Sequence, residues 1–230
     1  MELRSKGVIA FDLGYTLLTN DRAKVHQQYL HHQGVNTDLD SIVLAYHIVD
    51  KEFMRSYPKV ISTGGKQYYP WFVGRVNFEL KHCFDLVEQT AFMLNIIASA
   101  PLWKPFPWAI EVLEQIKHKG YRLALLSNWD ASARSILRSV GLDAFFEVIL
   151  ISSEVGYEKP DARIFHKLLS ELRCTADEVV YVGDNYYDDV IGAQALGIDA
   201  VLVNPYGKIG IEELDFAPIF PNVRSLLEHL

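Results

Sequence analysis

Five short apolar runs punctuate the chain: VIAF (8–11), YRLALLS (121–127), FEVILIS (146–152), VVYVGD (179–184) and DAVLVN (199–204). Each is too short for a typical helix and carries apolar side chains at consecutive positions. That is how a strand buried on both faces of a parallel sheet reads. From residue 107 onward these runs alternate with stretches of helical period. WAIEVLEQIKHKG (108–120) lines up Ile110, Val112, Leu113 and Ile116 and stops at a glycine. ASARSILRSVGL (131–142), DARIFHKLLSEL (161–172) and DDVIGAQALGI (188–198) fill the other intervals, and VRSLLEHL closes the chain. Strand and helix in alternation predict a doubly wound α/β fold with a parallel sheet.

Residues 19–103 read differently. No strand pattern stands out there, and the spacing predicts helices around 23–34, 38–57 and 78–100, with Asp38 or Thr37 as the N-cap of the second. The Pro-rich PLWKPFPW (101–108) marks a return to the sheet. The expected organisation is an α/β core from 1–18 and 104–230, with 19–103 inserted after the first strand as a helical domain. Neither an internal repeat nor a low-complexity tract is present.

The 230 residues suffice for a full core, and a net charge of −7 argues against a general nucleic-acid or anionic-membrane surface. An anionic ligand therefore needs a local positive site. The N-terminal MELRSKGVIAFD lacks the apolar length of a signal peptide, and no run approaches a membrane span, so a cytoplasmic location is expected. Cys83 and Cys174 fall in amphipathic stretches and are expected to be buried, reduced thiols.

The candidate chemistry gathers at strand ends. Asp12 follows the first run, Ser127 and Asn128 the second, and Glu158-Lys159-Pro160-Asp161 the third. Gly183-Asp184-Asn185, with Asp188 and Asp189 beyond, follow the fourth. Ligands of open α/β sheets bind at the carboxyl ends of strands, so the four groups are expected to meet in one crevice. Asp12 and Asp184 are suited to sharing a hard divalent cation. The cation would screen a phosphate approached by Asp12 as nucleophile, with Lys159 and Ser127 stabilising the transferring group. Asp189 is expected to hold Lys159 or a metal-bound water.

In this order, FDLGYT (11–16), LLSNWD (125–130), GYEKPD (156–161) and VGDNYYDDVIGA (182–193) resemble the four motifs of the haloacid dehalogenase superfamily. The match is to its phosphatase branch with a helical cap. The resemblance spans the whole core. It implies a strand order of 5-4-1-2-3, a Mg²⁺ cofactor, and a cap that closes over the site and chooses the substrate. It implies Asp12 as nucleophile and metal ligand, and Ser127, Asn128 and Lys159 as phosphate-binding residues. Asp184 and Asp189 complete the acidic set, and the backbone carbonyl of Gly14 completes the metal shell. The implied reaction is hydrolysis of a small phosphorylated metabolite through an aspartyl phosphate, by a monomer or homodimer that binds neither nucleic acid nor membrane.

One position departs from that pattern. Where the family's phosphatases carry a second aspartate as general acid, this chain has Gly14, followed by Tyr15. General acid–base help is worth ~10²–10⁴-fold, and its loss weighs most on alkyl phosphates, whose alkoxide leaving groups are poor. Asp130 and Tyr15 are the candidate substitute donors. Two other readings follow from the gap: a slow phosphate-binding or sensor protein, and a dehalogenase or C–P hydrolase. The C–P hydrolase needs a Schiff-base lysine, for which Lys24, Lys51 and Lys66 are candidates. YYPWFVGR (68–75) is either a substrate pocket or helix core, and His31-His32 read as a solvated helix face.

Overall fold

In the computed structural model, which describes residues 3–60, 67–99 and 103–230, the apolar runs form a parallel sheet. Its strands are β1 (Val8–Phe11), β4 (Arg122–Ser127), β5 (Val148–Ile151), β6 (Val179–Gly183), β7 (Asp199–Val203) and β8 (Ile219–Phe220). A separate two-stranded sheet pairs β2 (Leu18–Asn20) with β3 (Trp103–Pro105). The large sheet runs β5-β4-β1-β6-β7-β8, parallel at every pairing. Counted in chain order from the β7 side, the five anticipated strands run 5-4-1-2-3. The two-residue β8 is added beyond them at the edge. That strand and the short β2 and β3 carry too little pattern to be read from sequence.

The register explains why the strand ends converge. Phe11 of β1 is level with Leu125 of β4 and with Val182 of β6, and Asp12 N–H donates to Val182 O at 2.9 Å. Asp12 therefore leaves the sheet between β4 and β6, where Ser127 and Asp184 also emerge. All four residues of β1 are buried, as expected for the central strand.

The chain divides into two compact units. A sheet unit comprises Met1–Thr19, Pro105–Lys208 and Glu213–Leu230, and a helical unit comprises Asn20–Lys104 with Ile209–Glu212. In the helical unit, Arg22–His32, Leu39–Ser56, Tyr69–Glu79 and Leu86–Ser99 are helices. Asp38 caps the second, its carboxylate accepting from Ser41 N–H at 2.8 Å. Ile42, Ala45, Tyr46, Val49 and Phe53 recur at intervals of three and four and pack with Phe72 and Val76 in the core.

Several expectations need correction here. The single helix expected over 78–100 is two. Lys81 takes a left-handed backbone (φ 60°), and Asp85 accepts from the amides of Val87 and Glu88, which starts a new helix. Neither thiol is fully buried. Cys83 is exposed in the break between those helices, and Cys174 is half-buried in the turn after the helix Ala162–Leu172. In the stretch 68–75, Phe72 and Val73 are buried, Tyr68 and Tyr69 are half-buried against the helical core, Trp71 is exposed, and Arg75 pairs with Glu52 and Glu79. His31 and His32 are exposed, as read. Among the described residues no helix is long and apolar enough to cross a membrane.

A buried polar relay crosses the helical unit. Gln89 Nε2 donates to His26 Nε2 at 3.2 Å, so His26 Nδ1 carries the proton directed at Tyr46 OH, also 3.2 Å away. Gln89 also exchanges hydrogen bonds with Asn77. Burial above all depresses the imidazole to about 4, so it is neutral in the folded state. The stabilisation this gives is complete above the unfolded value near 6.5 and is lost as pH falls toward 4. We expect on the order of 3 kcal/mol of acid destabilisation from this group. Urea unfolding of wild type and His26→Gln across pH 4–7 reads it directly. The same pH slope in both would reject the assignment.

Candidate active site

Lys159 is the centre of the constellation. It is 2% exposed, and its ammonium donates to Asp12 Oδ1 at 2.7 Å, to Asp189 Oδ1 at 2.5 Å and to Tyr181 OH at 3.0 Å. Ser127 Oγ donates to the same Asp12 oxygen at 3.0 Å. Asn128 spends its amide on the loop that carries the lysine. Its Nδ2 donates to Lys159 O at 2.9 Å, and its Oδ1 accepts from Lys159 N–H at 2.7 Å. The second and third motifs are thereby tied together before any substrate arrives.

The fourth motif is shaped by a π-helical turn, Tyr186–Val190, rather than by the regular helix expected from 188. Asn185 caps it, accepting from the amides of Tyr187 and Asp188. Asp189 turns back, so that its Oδ2 accepts from Asn185 N–H at 2.9 Å while its Oδ1 takes Lys159. Wide π turns of this kind re-aim side chains and recur at functional sites. Gly183 leaves the space that this requires, since a Cβ there would fall on the Asp189 carboxylate. We expect Gly183→Ala to push Asp189 off Lys159 and to lower kcat at least tenfold. Steady-state kinetics beside a thermal melt would check it, and an unchanged kcat would refute the steric argument.

One oxygen each from Asp12, Asp184 and Asp189 lie within 4.8 Å of one another, all on buried residues. Burial alone would lower the ammonium of Lys159, but Asp12 and Asp189 outweigh it and hold the group well above an ordinary lysine. Burial, with Asp12 and Asp184 nearby, raises Asp189 despite its ion pair. Burial and the Asp189 charge push Asp188 up to about 7. One ammonium among three carboxylates leaves an excess of negative charge. An all-oxygen donor set with that excess fits a hard divalent cation such as Mg²⁺.

Around Gly14 the loop closes on itself. Tyr15 N–H donates to Leu18 O at 2.7 Å, with Tyr15 held in the left-handed region at φ 54°. Thr16 Oγ1, in the same turn, is buried without a partner among the described residues. Asp130 is exposed and accepts from Ser132 N–H at 2.8 Å, the ordinary work of a turn acid. Of the Schiff-base candidates, Lys24 is exposed and paired with Asp21, and Lys51 is buried in the helical unit. Lys66 lies outside the described residues. Sequence reasoning passed over Tyr181, although a phenol inside an otherwise apolar strand must find a partner for its hydroxyl.

A family model described as haloacid dehalogenase-like hydrolase matches residues 74–203, more than half of the chain. The chain belongs to the haloacid dehalogenase-like hydrolases. It is 38% identical over 167 residues to a glyceraldehyde 3-phosphate phosphatase of Methanothermobacter thermautotrophicus, covering 68% of this chain and 70% of the relative. It is 28% identical over 206 residues to haloacid dehalogenase-like hydrolase domain-containing protein 3 of Xenopus laevis, covering 86% and 84% of the two chains. The crystal structure of a phosphatase of the same superfamily from Thermococcus onnurineus superposes with a TM-score of 0.58 at 21% identity, covering 96% of each chain. That last likeness concerns the fold. As a haloacid dehalogenase-like hydrolase the chain is an enzyme, and the question left is which bond it breaks.

Proposed function

We propose that this hydrolase is a Mg²⁺-dependent phosphatase of small phosphorylated metabolites, acting through an aspartyl phosphate on Asp12. The observation that carries the reading is the unequal treatment of the two Asp12 oxygens. Oδ1 accepts from both Lys159 and Ser127, and Oδ2 makes no hydrogen bond among the described residues. Two donors suited to phosphoryl oxygens thus flank Oδ1, which supports its assignment as the attacking oxygen. Oδ2, with Asp184 and the Gly14 carbonyl, would hold the cation, and Asp189 lies within reach of the same cluster. When bound, the cation supplies charge neutralisation for the phosphoryl group.

This chain's own residues account for the rest. Lys159 and Ser127 hold the Asp12 carboxylate for in-line attack, and the donors they aim at Oδ1 would turn to the phosphoryl oxygens as that oxygen bonds to phosphorus. Asn128 keeps the lysine loop in register. Asp189 holds the ammonium from its far side. Attack forms the Asp12–phosphorus bond and expels the leaving oxygen. Water then hydrolyses the acyl phosphate and returns the carboxylate. The glyceraldehyde 3-phosphate phosphatase among the relatives supports a phosphorylated small molecule as substrate. The intact Asp184 favours cation-assisted phosphoryl transfer over halide displacement.

Gly14 gives this reading a distinctive test, because no side chain at that position protonates the leaving group. Phosphate release with Mg²⁺ is measured on matched acyl, aryl, anomeric and alkyl phosphates. We expect turnover to fall steeply as the leaving group becomes less acidic, and to vanish with chelator. Gly14→Asp should restore alkyl phosphates more than acyl ones, by ~10²-fold if it regains acid catalysis. Turnover indifferent to Mg²⁺, or absent from every member of the panel, would overturn the proposal.

A further inference from the structure

β6 reads VVYVG, and its one polar side chain, Tyr181, is fully buried. The phenol donates to Leu126 O in β4 at 2.6 Å. A carbonyl oxygen only accepts, so the single phenolic proton is committed to that bond. Toward Lys159 Nζ, 3.0 Å away, Tyr181 can only offer a lone pair. An ammonium has three protons, and all three are placed here, on Asp12 Oδ1, Asp189 Oδ1 and Tyr181 OH.

We propose that Tyr181 is a positioning residue of this hydrolase. By taking one ammonium proton while Asp189 takes another, it leaves a single Lys159 N–H aimed at the reacting oxygen of Asp12. The inference rests on the phosphatase reading for its kinetic consequence, though not for its geometry. A lysine is otherwise a point charge on a flexible stem with rotatable donors. Here its rotation is fixed from two sides. Asp189 supplies opposite charge, whereas Tyr181 supplies direction, anchored to the backbone of β4.

The packing behind the ring supports this use. Between β6 and β4 runs β1, and Ala10 stands opposite Tyr181 in register, a small residue on the intervening strand. Phe165 meets the Tyr181 ring edge-on, with centroids 5.5 Å apart. Gly192 in turn leaves room for Phe165, since a Cβ at 192 would overlap that ring. The ring is therefore held by core packing, and its hydroxyl by two polar partners. A purely structural tyrosine would need only the bond to Leu126.

The test uses Tyr181→Phe, which keeps the ring and removes the hydroxyl, assayed on an aryl phosphate with Mg²⁺ well below the variant's own melting midpoint. We expect kcat to fall about tenfold with KM unchanged within about twofold, because the lost direction matters most as charge moves onto the phosphoryl oxygens. On a Lys159→Ala background the same substitution should cost nothing further. An equal loss on both backgrounds would show an effect that does not pass through the lysine, and would overturn the proposal. A second readout is independent of turnover. With ¹⁵N-labelled lysine, the Lys159 ammonium should give a slowly exchanging resonance in wild type, assigned by its absence in Lys159→Ala. It should be lost to fast exchange in Tyr181→Phe. If it survives there unchanged, Tyr181 does not hold the lysine. Should wild type show no Asp12-dependent phosphate release, the phosphatase reading falls, and the resonance alone decides the role of Tyr181.

Discussion

Asp12→Asn should abolish phosphate release, lowering kcat on the order of 10⁴-fold or more, while leaving a folded protein. The amide keeps the shape of the carboxylate, and its oxygen still accepts from Lys159 at 2.7 Å and Ser127 at 3.0 Å in the wild-type arrangement. What it loses is the anionic nucleophile. The substitution also removes one charge from a cluster in which three carboxylates face one ammonium, so repulsion is relieved as the ion pair weakens. We therefore expect a thermal midpoint within a few degrees of wild type and no labelled enzyme when a radioactive phosphate donor is quenched in acid. Turnover within tenfold of wild type would exclude an aspartyl phosphate on this residue.

Lys159→Ala should have the largest effect on stability. The ammonium is 2% exposed and neutralises Asp12 and Asp189, whose side chains are 11% and 1% exposed. Removing one partner from a buried ion pair costs about 3–5 kcal/mol, because the remaining charge stays desolvated and uncompensated. For a chain of this size that corresponds to a fall in melting midpoint of about 10 °C, most severe in chelator. Added Mg²⁺ should recover part of the loss, since a cation among the carboxylates replaces the missing positive charge. The measurement is a pair of melts, with chelator and with Mg²⁺, for wild type and variant. Equal Mg²⁺ stabilisation of both proteins would mean that the cation and Lys159 do not answer the same negative charge. Activity should fall on the order of 10³-fold in the variant under either condition, leaving a residual rate that is measurable on an aryl phosphate.

Much of this molecule was legible along the chain, because parallel strands buried on both faces advertise themselves. VIAF, the core of YRLALLS and VVYVG became β1, β4 and β6 with only their ends trimmed, and Asp38 capped its helix as its position before an apolar period required. The polar residues at the strand ends were also readable. A single strand-end acid is commonly a cap, whereas Asp12, Ser127, Lys159 and Asp184 at four successive strand ends form a set that capping does not explain. What failed was local and had local causes. Asp85 is a cap inside a stretch whose apolar spacing looks continuous on both sides, so periodicity alone joined two helices across it. Cys83 was misplaced for the same reason, because the break carries it to the surface. β8 is two residues long and borrows its order from β7, which no pattern in its own sequence reveals.

By itself the sequence determined the order of the five main strands and the helices between them, the fold class, and the identity of the acids, hydroxyl and lysine that meet at the strand ends. Those properties follow from periodicity and residue type, which are one-dimensional. Only the tertiary structure decided how the groups share their protons. It put Lys159 and Ser127 on the same oxygen of Asp12, spent the Asn128 amide on the lysine loop, and turned Asp189 back over the bare Gly183. It also brought a phenol from β6 to a carbonyl of β4, two strands away. Hydrogen bonds depend on distance and direction between residues that can lie far apart in the chain, as Asp12 and Lys159 do at 147 positions. Nothing in the linear pattern encodes which lone pair a proton will find.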